Sequence, residues 1–350
     1  MQPYDKLVPQ LAQYEAFITR GLYWLPYVMY FNTPNHRSTV VNTDSGGFRI
    51  SHGGANTYSV RDQLPHGPVS ILMGGSSAFG LGATCDEKTL PSLLSRNTSD
   101  TPWLNLTAPA FNSTQEVIIF LLHRHQLPEI RDIVIFSGLN NLVLAGLPGA
   151  TEKYGQFFFS GEFYEKLCGS DVDRSGISHT GGRNSSARKM LSRAARLLHL
   201  QGGEPADGPT GPSPEARVEI ATSILANDLD RLLELAAPTG ARIHFVLQPA
   251  ISWTGKKRSP EEVVLLDDRT AVWSKMWDSF RPVFEAEVYQ AHAPRVEQIC
   301  KSRGISFIDM NDSLLMSPDS DRWLFVDAVH LNDDGNEVVS EILTRDLDLK

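Results

Sequence analysis

Five short apolar runs, Val69–Met73, Trp103–Leu106, Ile133–Phe136, Ile243–Leu247 and Ile305–Ile308, constrain this chain more than any other feature. Each has the length and composition of a buried strand. Between and after them lie stretches with helical spacing: Leu90–Leu94, Gln115–Leu122, Val218–Leu233, one or two helices within Glu261–Lys301, and Asn336–Leu343. In the third of these, Ile220, Ile224, Leu225, Leu229, Leu232 and Leu233 share one face, and Pro238 with Gly240 stops the helix. Strands that alternate with helices pair in parallel through crossover connections. The expected fold class is α/β, a three-layer α/β/α sandwich built on a five-stranded parallel sheet.

Two segments fall outside that alternation. Residues 1–65 form an aromatic-rich N-terminal extension expected to pack on the core, and its turn-like Asn42-Thr43-Asp44-Ser45-Gly46-Gly47 leads into Phe48-Arg49. From 146 to 214 the strand pattern is lost, and Gly202–Pro214 is rich enough in Gly and Pro to predict a flexible loop. This segment reads as an insertion, a cap over the core. Within it Ser186–Leu200 is a basic amphipathic stretch, for which a solvated cap helix is the plainer reading than a membrane or anionic-substrate surface. The core is then 66–145 and 215–350.

The apolar fraction of 41% is ample for a buried core, and the formal net charge of -9 argues against nucleic acid as a partner, because phosphate-backbone binding needs clustered Lys and Arg. Cys85, Cys168 and Cys300 are widely spaced with no CxxC pattern, so reduced thiols are expected rather than disulfides or a zinc site. The N-terminal residues lack the basic start and apolar stretch of a secretory signal, which makes cytoplasmic residence the default expectation. No membrane span is expected: the longest apolar-aromatic run, Gly21–Phe31, contains Pro26 and is far shorter than the about 20 residues a spanning helix requires.

In an open parallel sheet the loops at the carboxyl ends of the strands gather along one edge, so residues far apart in sequence meet there. Four such loops carry suggestive chemistry. The first is Gly74-Gly75-Ser76-Ser77, a small, solvent-reachable serine where a buried strand ends. The second runs from Asn105 to Asn112, the third is Gly138-Leu139-Asn140-Asn141, and the last is Asp327-Ala328-Val329-His330. The spacing of the last pair lets a carboxylate and an imidazole share one turn, with the acid holding the ring. Acyl transfer by serine needs a nucleophile, a base, a group that fixes the base, and donors aimed at the developing oxyanion. Each requirement has a candidate.

In these four blocks the chain resembles the SGNH (GDSL-type) hydrolase family, in the bacterial branch whose first block reads Gly-Gly-Ser. Phe79-Gly80-Leu81-Gly82, Thr89-Leu90-Pro91 and Leu331-Asn332-Asp333-Asp334-Gly335 extend the resemblance, which spans 40–345 apart from the insertion. It implies a flavodoxin-like hydrolase fold with Ser76 as nucleophile, His330 as base and Asp327 as its orienting acid. It further implies an oxyanion site made by the backbone N–H groups of Ser76 and Ala110 and the side chain of Asn140. The chain departs from the family pattern at Gly75, at Ala110 where a glycine is usual, and at Asn141 where an aspartate is usual. Neither a metal nor an organic cofactor is implied.

Simpler readings compete at each block. Ser77 is the nearest rival to Ser76, but it is out of register, and capping the following helix is its expected role. His123, His125 and His244 have no carboxylate three residues before them and read as structural. Gly74–Gly82 lacks the Gly-x-Gly-x-x-Gly and Gly-Lys-Ser/Thr patterns of phosphate loops, and Gly74-Gly75-Ser76-Ser77-Ala78 is not a Gly-x-Ser-x-Gly elbow. Arg49 reads as a salt-bridge tie between the N-terminal segment and the core. Trp253, Trp273, Trp277 and Trp323 fit either an acyl or sugar subsite or the interior. The expected activity is hydrolysis of a small acyl ester, for example acetyl, on a sugar or another biosynthetic intermediate. The alternatives are transfer of the acyl group to an alcohol and a catalytically silent binding module, which the departures at Ala110 and Asn141 motivate. The oligomeric state is left open.

Overall fold

The computed structural model describes residues 6–19, 23–98, 101–147, 150, 156–159, 212–267 and 280–349. Five strands, β1 (Val69–Gly74), β2 (Trp103–Thr107), β3 (Ile130–Ser137), β4 (Arg242–Leu247) and β5 (Ser306–Asp309), form one sheet in the order β2-β1-β3-β4-β5. Every neighbouring pair is parallel. This is the doubly wound 2-1-3-4-5 order, in which the chain reverses direction across the sheet between β1 and β3 and leaves a crevice at their carboxyl ends.

Alternate residues of each strand point to opposite faces, and both faces are covered. Ile71, Met73, Leu106, Ile133, Ile135, Phe245 and Leu247 belong to a cluster with α3 (Ser113–His123), α5 (Pro214–Ala236) and α6 (Ala286–Ser302). Leu72, Val134, Phe136 and Val246 belong to a second cluster with α2 (Leu90–Asn97) and α7 (Asp333–Asp346). Burial on both faces is why these strands read as unbroken apolar runs.

The five expected strands are the five observed, with shifted ends. β3 begins at Ile130 rather than Ile133, and β5 covers Ser306–Asp309 rather than Ile305–Ile308. Ile305 is taken by the end of α6, where Gly304 is left-handed and the N–H groups of Ile305 and Gly304 donate to the carbonyls of Cys300 and Lys301. That pair of hydrogen bonds is the Schellman ending, and it delays the strand by one residue. Helix α5 ends at Ala236, and a tight turn over Ala237–Thr239 leads to a left-handed Gly240, which is how Pro238 and Gly240 stop it.

Residues before β1 contribute the helix Leu11–Thr19 and two antiparallel hairpins, Tyr23–Leu25 with Met29–Phe31 and Ser51–Gly53 with Asn56–Tyr58. The Asp44 carboxylate accepts the N–H groups of Gly46 and Phe48, which closes the Asn42–Arg49 turn. Arg49 is fully buried, with Nε 2.7 Å from Asp86 Oδ1 and the guanidinium donating to Tyr14, Phe79, Gly80 and Val40. Tyr14 in turn donates to the carbonyls of Gly80 and Ala83. Arg49 is thus the expected tie, and its partners include the residues directly after the Ser76 turn. A buried ion pair is tolerable only when its remaining donors are satisfied, which these carbonyls do.

Most of the segment 146–214, with Ser186–Leu200, Gly202–Gly211 and Cys168, lies outside the described residues, as do Trp273 and Trp277. Among the described residues no helix is long and apolar enough to cross a membrane, and no group of three or more His, Cys, Asp or Glu is placed to hold a metal. Cys85 is half-buried and Cys300 buried, both as free thiols.

Candidate active site

The strand β1 delivers Ser76. Gly74 has φ +149, and a Cβ there would meet the Phe136 carbonyl oxygen at 2.2 Å, so only glycine lets β1 lie this close to β3 at its end. At Gly75 a Cβ would lie 2.7 Å from Asn140 Nδ2, so a larger residue there would require the Asn140 side chain to shift. Ser76 then opens the short helix α1 (Ser76–Phe79). From Ile71 to Gly80 it alone is not buried. The Ser76 N–H is in the first turn, where amides lack intrahelical partners.

His330 and Asp327 lie on a loop whose shape is set by hydrogen bonds. Val326 donates its N–H to the His330 carbonyl, and Asn332 donates to the Leu324 carbonyl. Asp327 Oδ1 accepts from the backbone N–H groups of Val329 and His330 at 2.9 and 2.8 Å. Its Oδ2 lies 2.6 Å from His330 Nδ1, and His330 Nε2 lies 2.7 Å from Ser76 Oγ. A carboxylate can only accept, so Nδ1 carries the proton, and Nε2 is left as acceptor for the serine hydroxyl. Asp327 and His330 are 5% and 1% exposed, which shields the pair from water.

The loop is anchored from beneath by a pair that no sequence pattern marks. Glu262 Oε1 accepts from the N–H groups of Leu324 and Phe325, and its Oε2 lies 2.6 Å from Lys256 Nζ, both side chains being fully buried. Charged residues read as surface in a sequence, and only the fold reveals these as interior.

The other two loops bring Ala110 and Asn140 to the same edge. Ala108 donates its N–H to the Gly74 carbonyl at 3.4 Å, extending the β1–β2 pairing into the turn. Ala110 has φ +65, a left-handed conformation that an L-residue adopts at a cost of roughly 1–2 kcal/mol. Tyr30 holds it there by donating to the Ala110 carbonyl at 2.8 Å. Asn112 caps α3, with its side chain accepting from Gln115 N–H and Gln115 reciprocating. Asn140 Nδ2 donates to the Phe111 carbonyl at 2.6 Å, which leaves its second amide hydrogen free to face a ligand. Ser76 and Asn140 are each partly exposed between buried neighbours, and Ala110 is partly exposed together with Pro109.

Asn141 is buried and is paired with the start of α3. It accepts from the Ser113 N–H and donates to Ser113 Oγ, and Ser113 and Thr114 both donate to Asp228 Oδ2, with Arg231 at Oδ1. The substitution at 141 therefore sits in a satisfied network between α3 and α4 (Leu139–Ala145). His292 donates from Nε2 to the Gly138 carbonyl at 3.2 Å; burial pushes its pKa down to about 4, so the ring is neutral. Ser77 does not cap the helix: Gly75 is the N-cap and no side chain caps it. The Ser77 hydroxyl instead donates to the Val329 carbonyl at 3.1 Å.

Of the other aromatic and histidine candidates, Trp253, Trp323, His244 and His123 have partners within the scaffold. Trp253 is buried, stacks on Tyr289 and donates to the Val283 carbonyl. Trp323 donates to the Phe325 carbonyl. His244 contacts Asp132 Oδ1 at 3.1 Å near the opposite end of the sheet, and His123 packs edge-on against Phe48.

No protein-family profile and no curated protein matches the chain. Among solved structures it is similar to the lipase/acylhydrolase from Enterococcus faecalis, with 12% identity, TM-score 0.42, and coverage of 81% of this chain and 97% of that one. It is similar to a member of the lipolytic protein G-D-S-L family from Veillonella parvula, with 10% identity, TM-score 0.41, and coverage of 80% and 100%. A GDSL-like lipase from Bacteroides thetaiotaomicron gives 11% identity, TM-score 0.41, and coverage of 80% and 87%.

Proposed function

We propose that this chain is a serine esterase that works through an acyl-serine intermediate. The observation that carries the reading is the unbroken hydrogen-bond chain from Asp327 through His330 to Ser76, at 2.6 and 2.7 Å, ending on the one residue of its turn that is not buried. Ser76 Oγ attacks the ester carbonyl carbon while His330 Nε2 takes its proton, and Asp327 stabilises the imidazolium that forms. The N–H groups of Ser76 and Ala110 and the free Nδ2 hydrogen of Asn140 are the donors we assign to the oxyanion. Collapse breaks the bond to the alcohol, which leaves with the proton from His330. Water then gives a proton to His330 and attacks the acyl-serine; the second collapse releases the acid and returns the proton to Ser76.

The departures at Ala110 and Asn141 do not weaken this reading. Ala110 already holds the backbone conformation for which glycine is the easier residue, and Asn141 has its polar atoms paired with Ser113. For the substrate we propose a small acyl group, such as acetyl, on a sugar or another biosynthetic intermediate, which rests on the motif resemblance. Release of acetate from an acetylated sugar tests that part. For the chemistry, a fluorophosphonate is expected to label Ser76 in the native chain and nothing in Ser76→Ala, which keeps a native melting transition and loses turnover of an activated acetyl ester. Undiminished turnover in Ser76→Ala would overturn the assignment.

A further inference from the structure

We infer that Ser77 and Gln248 form a positioning pair that holds the base against the nucleophile, an inference that rests on the esterase reading of Ser76 and His330. Ser77 directly follows the nucleophile and Val329 directly precedes the base. The hydroxyl of Ser77 lies 3.1 Å from the Val329 carbonyl oxygen, and Gln248 Nε2 lies 3.2 Å from the same hydroxyl. All three residues are nearly inaccessible, at 2%, 3% and 1% exposure.

The proton order in this group is determined by chemistry alone. A carbonyl only accepts, so the single Ser77 proton goes to Val329. The Ser77 oxygen must then accept from its other partner, and only the amide NH2 of Gln248 can supply that proton. Gln248 thus orients the hydroxyl, and the hydroxyl holds the loop. Gln248 is itself immobilised: it follows β4 directly, its N–H donates to the Ser137 carbonyl at 2.9 Å, and Asn311 Nδ2 reaches its carbonyl at 3.5 Å. The preceding loop carbonyl, of Ala328, is held by the Ile251 N–H at 2.9 Å. Two consecutive carbonyls before His330 are therefore anchored, one to the turn after β4 and one to the helix that bears the nucleophile. The Ser76–His330 contact spans 254 residues of sequence, and the Ser77–Val329 bond, one residue from each partner, is a further link between the same two pieces of chain.

The test uses the full chain and an activated acetyl ester, at a temperature where melting curves show each protein folded. Ser77→Ala is expected to lower kcat roughly 10–100-fold with KM within about twofold, because a misplacement of about 1 Å is enough for such a loss. Phosphonylation of Ser76 is expected to slow in the same proportion. Gln248→Glu supplies the readout that a merely structural residue would not move. While its carboxyl is protonated it donates to Ser77 as the amide does. Once ionised it can only accept, so it draws the Ser77 proton away from Val329. The variant is expected to lose kcat with rising pH over a range where the native chain does not. If Ser77→Ala does not fold, the Gln248→Glu profile decides. Native kcat in folded Ser77→Ala, or a native pH profile in Gln248→Glu, would overturn the pair while leaving the esterase reading intact. A native chain that turns over no ester and takes no label would overturn that reading itself.

Discussion

Asn140 Nδ2 and the Phe111 carbonyl oxygen are 2.6 Å apart, and this one bond joins the loop after β3 to the loop after β2. It orients the amide so that one hydrogen is spent on the protein, with Nδ2 lying against Gly75, the residue before Ser76. Asn140→Ala is expected to lower kcat by about 10²–10³ with little change in KM, the effect of removing one oxyanion donor. Steady-state kinetics on an activated acetyl ester checks it; a raised KM with unchanged kcat would show a role in binding instead.

Asp327 accepts three hydrogen bonds, two from backbone N–H groups and one from His330. In Asp327→Asn the side-chain amide can donate to Nδ1, which favours the tautomer with the proton on Nε2, where it cannot accept from serine. A loss of about 10⁴ in kcat at neutral pH is expected. A variant within tenfold of the native rate would remove Asp327 from the mechanism.

Ala110 has φ +65, and a glycine there removes the steric cost of the left-handed backbone but adds chain entropy to the unfolded state. Ala110→Gly is therefore expected to change stability by no more than about 1 kcal/mol, towards greater stability, with kcat unchanged. Chemical denaturation and kinetics on the same preparation measure both. A large fall in kcat would show that the methyl group itself contacts substrate.

Glu116 is 2% exposed, and burial pushes its carboxyl from 4.5 up to about 8, with nearby Asp228 adding to the rise and the Ser137 hydroxyl opposing it. The folded chain therefore holds a proton that the unfolded chain has released between those two values. The stability contributed by this site is whole below about 4.5 and is lost as pH rises through about 8. Glu116→Gln, which cannot ionise, is expected to flatten the decline of unfolding free energy across that window. Urea titrations at a series of pH values check it, and identical slopes for the two proteins would refute it.

Arg49→Ala removes the cation from a buried pair and leaves Asp86 with its charge uncompensated. Because Asp86 is 2% exposed, water cannot take the place of the guanidinium, and a loss of about 3–5 kcal/mol is expected. Arg49→Lys is expected to recover only part of it, since one ammonium cannot reach Tyr14, Phe79, Gly80 and Val40 together with Asp86. Thermal or chemical denaturation of the two variants decides it.

Strands buried on both faces leave continuous apolar runs, which makes β1 to β5 and their parallel pairing readable from residues such as Ile71-Leu72-Met73 and Ile133-Val134-Ile135. The candidate site is readable for a related reason. Ser76 and Asn140 sit within a few residues of strand ends, and His330 follows Asp327 by three residues, so local spacing places these side chains, while the roles proposed for them rest on the motif resemblance as well. The helix-cap expectation for Ser77 failed because nothing local distinguishes a hydroxyl that caps its own helix from one that reaches a carbonyl 252 residues away.

Composition and periodicity within this chain were enough for its sheet, its strand-end loops and the residue types gathered there, because each of those follows from neighbours a few positions apart. Distances of 2.7 to 3.2 Å between segments 171 to 254 residues apart follow from packing instead. Which atom Ser77 bonds, that Tyr30 holds Ala110, and that Lys256 and Glu262 lie in the interior all depend on how the layers close together. Desolvation then sets the protonation of Glu116 and His292, and no property of either residue's sequence neighbours encodes it.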